Sequence, residues 1–139
     1  MLPYLWIGGT KKHTEYTDNG TYTLYVNAVE VKPSIPEVRT RYFVCKNYSI
    51  PSVTSEYWEL QILQYSNNSS SKRTIIVTDL GGHGRSGLYC AIIMAHVLGI
   101  TGSEAIAKLR QMHCEQAVET AEQEAYVARI ADELRNWKG

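Results

Sequence analysis

The residues with the most chemistry to offer stand together in Asp79-Leu80-Gly81-Gly82-His83-Gly84-Arg85-Ser86-Gly87. A glycine-rich turn leading from a strand into a helix aims consecutive backbone N–H groups into one concavity, where the helix dipole adds positive potential. Such a concavity binds an anion. Gly81, Gly82 and Gly84 permit the tight backbone, Arg85 can set a bidentate guanidinium against phosphate oxygens, and Ser86 adds a hydroxyl. A blander reading is a plain turn with a surface arginine; the glycine density and the Arg-Ser-Gly ending argue against it. Other phosphate loops fail on context. Gly82, Gly84 and Gly87 spell G-x-G-x-x-G, but a dinucleotide-binding unit requires a second parallel strand with an acidic end, and more helix follows instead, with Glu104 inside it. A Walker A loop requires a lysine that this loop lacks.

The loop must be held by the elements around it. Residues 74–78, TIIVT, form a short continuous apolar and β-branched run, which predicts a strand buried on both faces at the centre of a sheet. A helix to about Leu98 is expected after the loop, then helices near 103–112 and 121–137. Thr120 and Gln123 have capping-box spacing at the start of the last helix, whose apolar face is Tyr126, Val127, Ile130, Leu134 and Trp137. Upstream, residues 21–31 and 39–46 alternate and read as strands, joined through a turn at Pro33 and Pro36. Residues 53–65 read as a helix, and the polar run Ser66 to Ser71 as a solvated loop. No internal repeat or linker divides the chain.

Composition narrows the partners. With 14 basic and 14 acidic residues the net charge is zero, so neither nucleic acid nor an anionic membrane is expected as partner. The apolar stretch Leu88 to Ile100 is too short to span a bilayer and reads as a buried helix, so no membrane insertion is expected. Cys45, Cys90 and Cys114 are odd in number and lack a C-x-x-C pair, which argues against a disulfide framework and against a zinc site. They read as small packing residues, and neither metal nor cofactor is expected. The N-terminus carries no basic and apolar leader, so the chain is expected to stay inside the cell, with the sequons at Asn19, Asn47, Asn67 and Asn68 unused.

The segment IIVTDLGGHGRSGLYCAIIMA resembles the strand, loop and helix of the protein tyrosine phosphatase family, V-H-C-S-A-G-x-G-R-[ST]-G, with Gly82, Gly84, Arg85, Ser86 and Gly87 matching. Residues 109–127, LRQMHCEQAVETAEQEAYV, are similar to the family's L-R-x-x-R-x-x-x-V-Q-T-x-x-Q-Y-x-F, and Tyr4-Leu5-Trp6 is similar to its Y-W-P. The resemblance implies an α/β fold: a phosphatase-like mixed central sheet with flanking helices, and a phosphate loop, Leu80 to Ser86, between a central strand and a helix. What the family places before these segments, including the part that recognises the phosphotyrosine ring, would lie upstream of Met1. The expectation is therefore a partial domain over 1–139, the C-terminal half, whose open face another chain would have to cover.

The resemblance also implies what is altered. In the family a cysteine thiolate attacks phosphorus; here that position is Asp79, and the histidine before it is Thr78. A carboxylate is a weak nucleophile, and two unit charges about 4 Å apart repel by about 4 kcal/mol at an effective dielectric near 20. The acid loop has no carboxylate in Lys46-Asn47-Tyr48-Ser49-Ile50-Pro51. In the water-positioning segment the first glutamine is Glu119, while Gln123 matches the second. Asp79 and Arg85 are expected to converge and pair, the carboxylate standing in for phosphate. The expectation is a catalytically inactive pseudophosphatase, a binding or regulatory module for a protein partner, phosphotyrosine-bearing proteins among them. Its alternatives are residual phosphatase activity through Asp79 by way of an aspartyl phosphate, and a truncated copy without function. His113-Cys114 reads as a decoy, since no glycine loop follows and Thr120 stands where an arginine is required; His83 reads as a surface histidine.

Overall fold

The structure, a computed structural model, describes residues 2–9, 23–34, 40–80 and 83–137. Strands β1 (Leu5–Gly9), β2 (Leu24–Val29) and β3 (Thr40–Val44) precede helix α1 (Ser55–Ser70), strand β4 (Ile75–Asp79), and helices α2 (Gly84–Leu98), α3 (Gly102–Met112) and α4 (Ala121–Leu134). The sheet order is β1-β4-β2-β3. Every pairing among the described residues is parallel, which corrects the expected mixed sheet. Parallel strands need crossovers, and α1 supplies the one between β3 and β4.

β4 lies inside the sheet, flanked by β1 and β2, and all its residues are buried, as its apolar run requires. Its register brings Asp79 opposite Gly9 and Thr78 opposite both Gly8 and Asn27. α2 is the hub: Gly84 through Ala95 are buried, and the helix packs on α1, α3, α4 and three of the strands. A helix apolar all round belongs inside a core, so α2 is held from every side and the loop before it has a rigid foundation. Gly99, at φ +67°, ends it in the left-handed cap.

The last helix starts where its capping box places it, with the Thr120 side chain accepting from Gln123 N at 3.0 Å. Two differences from the sequence reading stand out. α1 runs on to Ser70, through the polar run expected to be a loop, because Trp58, Ile62 and Tyr65 anchor its buried side while the rest faces water. β1 was not foreseen as a strand; it is short, ends in two glycines, and forms by pairing with β4. Pro36 of the expected turn lies outside the described residues. Among the described residues no single helix is long and apolar enough to cross a membrane.

An aromatic cluster ties the layers together. Trp58 is fully buried between Phe43 and Tyr89, at centroid distances of 5.6 and 5.5 Å, and its Nε1 donates to the Tyr126 hydroxyl at 2.8 Å. On the other side of α4, the backbones of α3 and α4 touch at Gly102, where an added Cβ would lie 2.7 Å from Ala128 Cα. Backbone cannot move aside as a flexible side chain can. Gly102→Ala is expected to destabilise the fold by about 1–3 kcal/mol in urea unfolding; an unchanged midpoint would show that the two helices are free to separate.

Candidate active site

β4 delivers Asp79 to the C-terminal end of the sheet, and the N-terminus of α2 begins at Gly84. Asp79 is 3% exposed, and its carboxylate turns into the loop: Oδ1 accepts from His83 N at 3.2 Å and Oδ2 from Ser86 N at 3.0 Å. Gly81 and Gly82 lie outside the described residues. Leu80 turns its side chain to solvent. Thr78 donates to Asn27 Oδ1 at 3.2 Å, tying β4 to β2 just behind the carboxylate.

Arg85 corrects one expectation. Its Nη1 donates to the Cys45 carbonyl at 3.2 Å, and no ion pair joins it to Asp79 among the described residues. The carboxylate is satisfied by amides, so the guanidinium bridges instead to the segment after β3. Both Arg85 and Ser86 are buried, at 6% and 0% exposure, and Arg85 Nε and Ser86 Oγ have no hydrogen-bond partner among the described residues. Unpaired buried polar atoms are costly and rare in a settled interior. An oxyanion that reached these donors would satisfy them.

The segments around the loop are pinned by the expected capping box and by longer-range bonds that the sequence does not announce. Gln123 is fully buried; its Oε1 accepts from Glu119 N at 2.9 Å and Thr120 N at 3.3 Å, while Nε2 donates to the Ser49 carbonyl at 2.9 Å. It thus fixes the 46–51 segment against the start of α4. Glu119 extends over Gly84, so closely that a Cβ there would meet Glu119 Oε1, and this brings a second carboxylate to the mouth of the loop. Arg110 donates from Nε to the Ala117 carbonyl at 2.9 Å and from Nη2 to the Val118 carbonyl at 2.8 Å. Val118 is held at φ +61°, a strained conformation for a β-branched residue, and its N–H donates to the His83 carbonyl at 3.1 Å. Gly87 leaves no room for a side chain on that side, since a Cβ would lie 2.8 Å from Val118 N.

The cysteines surround the loop. Burial pushes the Cys45 thiol up to about 11, against the pull of Arg85 and with the Asp79 charge adding to the rise. Burial pushes Cys90 up further, and the Asp79 charge adds to that too. Cys114 differs: it is partly exposed and lies 3.0 Å from His83 Nδ1, where a packing residue and a surface histidine were expected.

No family profile matches the chain. Two uncharacterised proteins of Methanocaldococcus jannaschii are similar to it, one 36% identical over 92 residues, the other 34% identical over 90. The alignments take in 66% and 65% of this chain and 58% and 54% of theirs, so the chain spans little more than half the length of the curated relatives it matches. Solved structures match across the fold. Human DUSP28 matches at TM-score 0.78 and 15% identity, covering 99% of this chain and 97% of that one. Tk-PTP in the active form matches at 0.66 and 17%, covering 96% and 90%. A mouse phosphatase of the dual-specificity type matches at 0.73 and 17%, covering 96% and 86%.

These matches correct the expectation of an inactive half domain. The match to DUSP28 extends over 97% of that chain and not over half of it, and α2 packs on α1, α3, α4 and three of the strands, β4 among them. The matched domains include Tk-PTP in the active form, and the likeness takes in nearly all of DUSP28, which overturns the pseudoenzyme expectation in so far as it rested on a missing half. By these matches the chain has the fold of the dual-specificity and protein tyrosine phosphatases.

Proposed function

We propose that the chain is a phosphoric monoester hydrolase that acts on aryl phosphates, phosphotyrosine in proteins among them, with Asp79 as its nucleophile. The observation that carries this reading is the pair of buried, unpartnered atoms Arg85 Nε and Ser86 Oγ beside a carboxylate turned into the same loop. An oxyanion is the ligand that such donors fit. The mouse structure of this fold, a complex with zinc tungstate, supports that choice of ligand by analogy.

In the first step an Asp79 oxygen attacks phosphorus, the bond to the aryl oxygen breaks, and the phenolate leaves and takes a proton from solvent. Arg85 holds the phosphoryl oxygens and offsets the repulsion between the carboxylate and its substrate. In the second step water attacks the phosphorus of the aspartyl phosphate, Glu119 takes its proton, and the bond from phosphorus to the Asp79 oxygen breaks, which restores the carboxylate and releases phosphate.

The 46–51 segment has no carboxylate to protonate a leaving group. Rates are therefore expected to rise steeply with the acidity of the leaving phenol. With a chelator present, para-nitrophenyl phosphate should turn over, phosphotyrosine peptides should react more slowly, and phosphoserine peptides should be slower again by about 100-fold or more. Steady-state phosphate release measures this. An absence of turnover with every aryl phosphate, or equal rates for aryl and alkyl esters, would overturn the reading.

A further inference from the structure

The sequence reading set His113-Cys114 aside, yet the fold brings Cys114 Sγ to 3.0 Å from His83 Nδ1 across 31 residues of chain. A thiol within hydrogen-bond reach of an imidazole can hand its proton to the ring, which activates a sulfur nucleophile. The main chain that carries this imidazole is fixed: the backbone N–H of His83 donates to Asp79 Oδ1 at 3.2 Å, and its backbone carbonyl accepts from Gly87 N and Val118 N, each at 3.1 Å. The sulfur has a further partner in Gln116 N, at 3.4 Å, whose N–H offers positive charge to a sulfur losing its proton. Access separates this thiol from the others, because Cys45 and Cys90 are buried and Cys114 is not.

We propose that Cys114 and His83 form a reactive thiol-imidazole pair, a modification site for low-molecular-weight disulfides and electrophiles at the rim of the Asp79 loop. In exchange with a disulfide, Cys114 gives its proton to His83 Nδ1 as its sulfur attacks one sulfur of the reagent. The S–S bond breaks, and the departing thiolate takes the proton from the imidazolium. The products are a mixed disulfide on Cys114 and one free thiol. This chemistry does not depend on the phosphatase reading.

The test is the rate of labelling at neutral pH, by oxidised glutathione and separately by iodoacetamide, with peptide mapping of Cys45, Cys90 and Cys114. An ordinary thiol is only a few per cent ionised at that pH, which caps base assistance at about thirtyfold. Cys114 should react roughly tenfold faster than the thiol of a short cysteine peptide, and His83→Gln should bring it down to the peptide's rate. Labelling of Cys45 and Cys90 reports unfolding; if His83→Gln causes it, His83→Asn takes its place. A wild-type Cys114 no faster than the peptide, or a folded His83 variant as fast as wild type, overturns the proposal.

Discussion

Asp79→Ala is expected to abolish hydrolysis and at the same time to tighten binding of inorganic phosphate. The two effects have one cause. In the proposed reaction the carboxylate is the nucleophile, so its loss removes the first step; it is also a buried negative charge that would face the bound phosphate. Repulsion of about 4 kcal/mol at 4 Å would correspond to roughly a thousandfold in affinity, and Arg85 offsets part of it, so a gain of about 10- to 100-fold is expected by calorimetry. The variant also leaves His83 N and Ser86 N without the acceptors they have now. Each buried donor left unpaired costs about 1–3 kcal/mol, so the variant should melt lower than wild type and recover more of its stability on adding phosphate. Surviving turnover, or weaker phosphate binding, would mean that Asp79 serves only to hold the loop together.

Arg85→Lys is expected to lower kcat/KM for aryl phosphates by about 10²–10³-fold, the usual loss for one transition-state donor. A lysine keeps the charge but not the fork: it cannot reach the Cys45 carbonyl and two phosphoryl oxygens together, as a guanidinium with Nη1 on Cys45 and Nε free to the loop can. The loss should appear in kcat as well as KM, because charge moves onto the phosphoryl group in the transition state. A change in KM alone would make Arg85 a residue that only captures substrate.

Much of the frame was legible because it rests on local pattern. β4 could be read from its apolar run, and α4 from Thr120 and Gln123, since one buried strand and one capping box are signals written in consecutive residues. α1 was read too short because Asn67, Asn68, Ser69 and Ser70 are weak helix formers, and the packing of Tyr65 outweighs them. The direction of the strands was misread because no residue type marks a parallel pairing; register comes from the crossovers. In the site, the loop's members were visible and its partners were not. Arg85 bonds a carbonyl 40 residues away, Gln123 one 74 away, and Arg110 grips two carbonyls, and a backbone oxygen has no identity in a sequence. The expected Asp79 and Arg85 pair failed for the same reason: amide donors nearby compete for the carboxylate, and charge alone does not decide the contest.

The measurement that bears most directly on the account is the chemical identity of the intermediate. The chain is mixed with para-nitrophenyl phosphate in the presence of a chelator, quenched in acid during turnover, digested, and mapped for the phosphoryl group by mass spectrometry. The account predicts the phosphoryl mass on the peptide that contains Asp79, lost on treatment with hydroxylamine as an acyl phosphate is, and absent from Asp79→Ala. A phosphoryl group found instead on Cys114 or His83, or phosphate release with no phosphorylated peptide at any stage of turnover, would contradict it.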